Sequence, residues 1–287
     1  MILVIGATGN VGSKLVEQLA TMGHQVRALV RSPEKATRIQ ELGVEIVPGD
    51  LECRDMLDAA LKGVEKVFLL SPDDPRQGEL QGNLIEAAQR GAVRQVVKLS
   101  AFTAAPDSPV SFARWHWQTE QQLLASGLAS TILRPTLYMQ NLVTFFAQSI
   151  AAQGLFVLPM KEGKVSQVDA RDIAAVAARV LTEEGHEGKT YTITGPQALS
   201  FTQVAEQLSA ALGKRVTYVD PPVEVYRQAL LDAGTPVWFA DALIALYGLY
   251  SQNIASDVTT VVADLTQRPA RTFEQFARDY APAFSLT

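Results

Sequence analysis

The stretch that most constrains this chain is its first twelve residues, Met1-Ile2-Leu3-Val4-Ile5-Gly6-Ala7-Thr8-Gly9-Asn10-Val11-Gly12. An apolar run of strand length breaks at Gly6 into Gly6-x-x-Gly9-x-x-Gly12, and apolar residues then recur at Val11, Leu15, Val16, Leu19 and Met22, which is helical spacing. The spacing predicts strand, glycine turn and helix. Such a turn leaves backbone N–H groups free at a helix N-terminus, where the dipole favours anions, and the missing Cβ atoms let a pyrophosphate come close. Three spaced glycines alone are weak evidence. Their setting between an apolar strand and an amphipathic helix is what a dinucleotide-binding turn requires.

Strands and helices alternate from there on. Strands are predicted at 25–30, 44–47, 66–70, 95–100 and 130–134, separated by helices at 33–40, 55–61, 79–90 and 115–125. Ser32 is read as the N-cap of the helix that opens on Pro33. Continuous β-branched strands between helices imply a parallel sheet covered on both faces, and right-handed crossovers make it a doubly wound α/β sheet of the Rossmann type.

Beyond Pro135 the rhythm changes. Asp169-Ala170-Arg171-Asp172 looks like the capped start of a helix apolar at Ile173, Val176, Ala177, Val180 and Leu181. A strand is predicted at 190–194, and Ser200 with Gln203 forms a capping box for a helix carrying Val204, Leu208 and Leu212. The expected organisation is a dinucleotide-binding core over 1–135 and a small, mostly helical substrate lobe over 136–287, with about 165–195 returning to the core. Tyr138, Phe145, Phe146, Trp238, Phe239, Tyr247 and Tyr250 are either pocket lining or plain core.

Composition narrows the partners. The 287 residues carry a net charge of −5 without a cluster of Lys or Arg, which excludes an electrostatic footprint for nucleic acid. Cys53, the one cysteine, excludes an internal disulfide, and no clustered ligand set points to a metal. The charge-free stretch 135–160 is interrupted by Gln140, Asn141, Gln148, Gln153 and Gly154, so a buried helix or pocket wall is expected rather than a membrane span. With the first strand starting at residue 2, no signal peptide is expected and the chain is read as cytoplasmic.

The end of the second strand selects the cofactor. An Asp or Glu there would bond the ribose hydroxyls of NAD, whereas this chain has Val30-Arg31-Ser32. A guanidinium pairs bidentately with a 2′-phosphate and stacks on adenine, so NADPH (NADP+) is the expected cofactor. Asp50, after strand three, is placed either to meet the adenine or simply to turn the chain. Ser71 and Ser100, ending strands four and five, face the nicotinamide half if this topology holds, though strand-end serines are also turn formers. The cofactor-contacting set is therefore Gly6, Thr8, Gly9, Asn10, Val11, Gly12, Arg31, Asp50, Leu51, Leu70, Ser71 and Ser100.

Together with the glycine turn, the strings Val30-Arg31-Ser32-Pro33, Gly49-Asp50-Leu51, His116-Trp117-Gln118-Thr119-Glu120, Leu133-Arg134-Pro135 and Tyr138-Met139-Gln140-Asn141 carry a resemblance. The chain resembles the NmrA-like atypical short-chain dehydrogenases, and within them the NADPH-dependent quinone oxidoreductases and triphenylmethane or azo dye reductases. The resemblance implies NADPH on the glycine loop with Arg31 at its 2′-phosphate, and a substrate cleft roofed by the C-terminal lobe. It also implies two kinds of activity, since some members reduce quinones or dyes and others sense the cofactor's redox state for a partner. A homodimer is the superfamily habit.

The departure from the superfamily is the proton donor. Typical members use Tyr-x-x-x-Lys, the lysine lowering the tyrosine pKa so that it protonates a carbonyl as hydride arrives. No tyrosine here has a lysine four residues later, and the resemblance puts Arg114 and Gln118 at the two positions. A quinone or conjugated dye is already electron-poor, so positioning it against the nicotinamide supplies much of the acceleration without the pair. Tyr138 and His116 are the candidate catalytic donors, with packing or structural roles as the alternatives. Phe102, Tyr138 and Asn141 are the candidate substrate-binding residues. The expected function is an NADPH-dependent reductase of a small-molecule quinone-like or dye-like acceptor, the alternative being an NADP(H)-binding sensor or scaffold without turnover.

Overall fold

Ile2-Leu3-Val4-Ile5 and Gln95-Val96-Val97-Lys98-Leu99 are buried at every position, the signature of parallel strands covered on both faces. The computed structural model describes residues 1–285. Its chain runs β1 (Ile2–Ile5), α1 (Asn10–Thr21), β2 (Val26–Val30), α2 (Thr37–Gln40), β3 (Glu45–Pro48), α3 (Arg54–Ala60), β4 (Lys66–Leu69), α4 (Gln77–Arg90), β5 (Gln95–Leu99), α5 (Ser111–Ala125) and β6 (Ala129–Pro135). It continues with α6 (Asn141–Gln153), β7 (Leu155–Val157), α7 (Ala170–Thr182), β8 (Thr190–Ile193), α8 (Phe201–Leu212), β9 (Thr217–Val219), α9 (Val223–Asp232), α10 (Val237–Tyr250), α11 (Val261–Thr266) and α12 (Phe273–Asp279).

Among the described residues, seven strands form a sheet in the order β3-β2-β1-β4-β5-β6-β8. Ile2 stands opposite Val26 on one side and Lys66 on the other, both pairings parallel. The strand order therefore reverses between β1 and β4, which is where open α/β sheets form a ligand crevice. Leu57 of α3 and Leu84, Ile85 and Ala88 of α4 pack into one core with Leu3, Ile5, Val67 and Leu69 of the sheet. Helices α1 and α7 pack on each other, burying Leu15, Val16 and Leu19 with Ile173, Val176 and Val180.

Contacts divide the chain into two units. Met1–Ser108, Phe112–Pro135 and Ala170–Thr192 make the first; Pro109–Ser111, Thr136–Asp169 and the described residues from Ile193 onward make the second. In the second unit β7 and β9 pair in parallel with Phe156 opposite Tyr218, and the Phe156 ring packs on Phe201 at 6.1 Å and on Tyr218 at 5.7 Å. The Ser200 and Gln203 capping box is formed in both directions, and Thr272 with Gln275 makes another at the head of α12. Trp238 and Phe239 lie against one another at 5.2 Å.

Several boundaries differ from those read off the sequence. The helices expected from 79 and from 115 begin earlier, at Gln77 and Ser111. The single helix expected over 33–40 is a 3₁₀ turn, Pro33–Ala36, followed by the short α2, and among the described residues the Ser32 side chain makes no cap hydrogen bond. The charge-free stretch 135–160 divides into the end of β6, α6 and β7. No helix of the described residues is long and apolar enough to cross a membrane.

The close seat of α1 depends on Gly12, where a Cβ would stand 2.0 Å from the Gly6 carbonyl oxygen. Backbone cannot give way as a flexible side chain does. The Gly12→Ala variant is therefore expected to lose about 1–3 kcal/mol of stability or more, read from the urea midpoint; an unchanged midpoint would show that the turn relaxes freely.

Candidate functional site

The glycine turn builds a cleft in the first unit. Gly6 adopts φ +74°, a left-handed conformation that L side chains rarely take, and the Gly9 N–H donates to the Gly6 carbonyl at 3.0 Å. Gly9 then stands at the N-cap of α1 in an extended conformation, without a side-chain cap bond among the described residues and with no acidic residue in the first turn. The positive end of the helix dipole there favours an anion. The cleft encloses about 430 Å³ and is walled by the ends of four parallel strands: Ile5 and Gly6 at the end of β1, Arg31 after β2, Asp50 after β3, Leu70 and Ser71 after β4.

These residues fit a phosphorylated dinucleotide. The turn is a cradle that a Cβ at Gly6 would fill, 2.7 Å from the Leu70 carbonyl oxygen. Arg31 is exposed on the cleft wall and has no hydrogen bond or ion pair within the described chain. An unengaged guanidinium beside an uncapped helix N-terminus is a donor set for phosphates. The Asp50 carboxylate accepts from the Glu52 N–H at 3.1 Å, an Asx turn that fixes it at the wall.

A buried polar network adjoins this cleft through Ser71, whose hydroxyl accepts from Gln81 Nε2 at 2.8 Å and donates to the Pro72 carbonyl at 3.2 Å. Lys98 and Ser100 are two apart and share a face of β5 and its extension; His116 and Glu120 are four apart and share a face of α5. Lys98 is fully buried, its Nζ donating to Gln81 Oε1 at 2.9 Å and lying 3.1 Å from His116 Nδ1. His116 Nε2 lies 3.4 Å from Asp73 Oδ1. Ser100 donates to the buried Glu120 carboxylate, which Arg134 clamps through Nε at 3.0 Å and through Nη2.

Burial sets the protonation of this group. Desolvation pushes the Lys98 ammonium down to about 7, against the opposing pull of the Glu120 and Asp73 carboxylates. Desolvation, and then the neighbouring Lys98, hold the His116 imidazole below its usual range. A neutral His116 that accepts from Lys98 at Nδ1 carries its proton on Nε2, toward Asp73.

In the second unit, α6 and the segment before it wall a second, narrow cleft. Tyr138, Asn141, Phe145 and Phe146 line it from that side, with Gln167, Phe201 and Tyr247 facing them. Phe145 and Phe146 meet edge to face at 6.5 Å.

The structure thus gathers Gly6, Thr8, Gly9, Arg31, Asp50, Leu51, Leu70 and Ser71 on one cleft and Tyr138 with Asn141 on another. Asn10, Val11 and Gly12 form the first turn of α1. Ser100 and His116 lie in the buried network, 4% and 6% exposed. Phe102 follows β5, its N–H bonded to the Pro135 carbonyl at 3.1 Å. Arg114 donates to the Ser108 carbonyl at 2.6 Å. Sequence reading missed Lys98, Gln81, Glu120 and Gln167; a lysine between Val97 and Leu99 in a strand flanked by other buried strands was the available signal for the first.

Residues 1–277 match the NmrA-like family. An NAD(P)H azoreductase of Xenophilus azovorans is 45% identical over 284 residues, covering 99% of both chains. An NADPH-dependent quinone oxidoreductase of Escherichia coli, solved with NADPH, superposes with a TM-score of 0.87 at 32% identity, over 97% of this chain and 99% of that one. The Citrobacter sp. triphenylmethane reductase complexed with NADP(H) gives 0.85 at 29% identity, over 98% and 100%.

Lys98 sets a measurable pH dependence. Its proton is held near pH 7 when folded and near its ordinary 10.5 when unfolded. Below that window both states are charged and the folded chain bears the full cost of a buried ammonium; through the window the unfolded chain binds more protons, so stability rises with pH. The stability of the parent relative to Lys98→Met should accordingly grow between pH 7 and 9.5 in urea titrations, and a pH-independent difference would refute the buried ammonium.

Proposed function

The chain belongs to the NmrA-like family, and on that premise we propose that it is an NADPH-dependent oxidoreductase that passes hydride to a quinone-like or conjugated dye-like acceptor. The observation that carries this reading is the unengaged Arg31 guanidinium on the wall of the glycine-turn cleft. The relatives support it, being a NAD(P)H azoreductase, a quinone oxidoreductase and a triphenylmethane reductase.

Gly6 and Gly9 with the head of α1 hold the pyrophosphate, Arg31 pairs with the 2′-phosphate, and Asp50 meets the adenine side. Ser71, fixed by Gln81, presents its hydroxyl at the far end of the same wall. NADPH, when bound, supplies a hydride, that is two electrons and one proton, which with one more proton from water converts a quinone to its hydroquinone. The aromatic wall of the second cleft holds a flat ring and excludes water from it. Tyr138 and Asn141 place a phenol and a carboxamide on that wall, with Tyr138 relaying that proton from water to the acceptor oxygen. His116 serves instead as a structural partner of Lys98, with both ring nitrogens engaged.

The direct test follows NADPH oxidation with 1,4-naphthoquinone and with a triarylmethane dye; binding of NADPH without oxidation by either would overturn the reading. Arg31→Glu should weaken NADPH by roughly 10- to 100-fold, since charge-assisted bidentate bonds are lost and each tenfold is about 1.4 kcal/mol. NADH affinity should change by no more than about twofold, because it lacks the 2′-phosphate. Equal losses for the two would assign Arg31 another task.

A further inference from the structure

Gln167 lines the aromatic cleft of the second unit, is 2% exposed, and its carboxamide oxygen and nitrogen both lack a hydrogen-bond partner among the described residues. Buried amides of folded chains are nearly always paired, because an unpaired donor or acceptor keeps the full desolvation cost. Its neighbours in sequence do not share this condition. Ser166 N–H donates to the Ala255 carbonyl at 2.8 Å, and its own carbonyl accepts from the Thr136 hydroxyl at 2.6 Å and from the Gly195 N–H at 3.1 Å. On the other side the Val168 N–H donates to the Leu137 carbonyl at 2.9 Å, and the Val168 carbonyl accepts from the Met139 N–H at 3.0 Å. The backbone is tied down on both sides of one side chain whose polar atoms are unsatisfied.

We infer that Gln167 is the polar anchor of the acceptor, its carboxamide N–H donating to a carbonyl oxygen or azo nitrogen of a flat conjugated molecule whose ring lies among Phe145, Phe146 and Phe201. The inference rests on the acceptor-reductase reading above and narrows it. Rings on an aromatic wall are recognised by contact area and stacking, which discriminate little between one conjugated system and another. A buried amide discriminates sharply, because an acceptor without a lone pair to offer leaves it unpaired. Its anchored backbone keeps it in place before the acceptor arrives, so little ordering is needed on binding. Gln167 is in this sense a specificity-determining residue: it favours quinone and azo acceptors over triarylmethyl cations, whose electrophilic carbon carries no hydrogen-bond acceptor.

The test compares the parent chain with Gln167→Met, which keeps the length and volume of the side chain without its amide. With NADPH present, KM for 1,4-naphthoquinone should rise about tenfold, while KM for malachite green, a triarylmethyl cation, changes less than twofold. Calorimetric titration of 1,4-naphthoquinone into the NADP+ complex should show the same tenfold loss without turnover. Thermal unfolding of the free chain should move upward in Gln167→Met, since an unpaired buried amide has been removed; a structural glutamine would move it downward. Unchanged KM and calorimetric affinity for naphthoquinone, an equal loss for both acceptors, or a lowered melting temperature would overturn the assignment. If the parent reduces neither acceptor, the activity reading fails, and the titration and the melting curve still decide the role of Gln167.

Discussion

Helix α1 comes down on the end of β1 more closely than any side chain allows. At position 12 even a methyl group would overlap the Gly6 carbonyl, and at position 6 the backbone turns with φ +74°. That contact leaves the head of α1 open at the edge of the sheet, with Gly9 as a cap that offers no side-chain acceptor. Parallel strands all end on the same edge, so Arg31, Asp50 and Ser71 arrive there from β2, β3 and β4 without any special device. A phosphate-binding cleft follows from one glycine contact and the handedness of the crossovers.

The same edge of the sheet carries a costlier feature. Lys98 lies inside a strand buried at every position, and its ammonium is satisfied by Gln81 and His116 rather than by a direct carboxylate contact. Glu120 beside it is neutralised by Arg134 and accepts from Ser100. Replacing such groups by apolar residues is often neutral or stabilising, so the network is weak evidence for stability and better evidence for positioning. Through Gln81 it fixes the Ser71 hydroxyl on the cleft wall. In the second unit, the Gln167 amide, unpaired among the described residues, is likewise unfavourable for folding alone.

What could be read in advance were features whose cause is local. The glycine triplet, the alternation of strand and helix up to Pro135 and the Ser200 box each depend on neighbours within a few residues, and they are formed as expected. Ser32 had the right residue type for a cap and makes no cap bond, because the following turn closes as 3₁₀. The Thr272 box carried the same signal as Ser200 and was overlooked. Strands β7 and β9, three residues each, were illegible: Phe156 pairs with Tyr218, and no local pattern announces a partner so distant.

The sequence by itself determined the doubly wound sheet, the glycine cradle and the arginine beside it, since each follows from periodicity and from residue types at the end of a strand. It also excluded the Tyr-x-x-x-Lys pair outright, an absence visible in any linear reading. Only the tertiary structure decided that His116 belongs with Lys98 and Asp73, that Ser100 turns to Glu120, and that the Gln167 amide finds no partner among the described residues. Those outcomes depend on which side chains α4, α5 and β6 bring against β5, and on which strands flank residue 167. Burial and hydrogen bonding are properties of the assembled neighbourhood, and the same histidine or glutamine takes a different role in each.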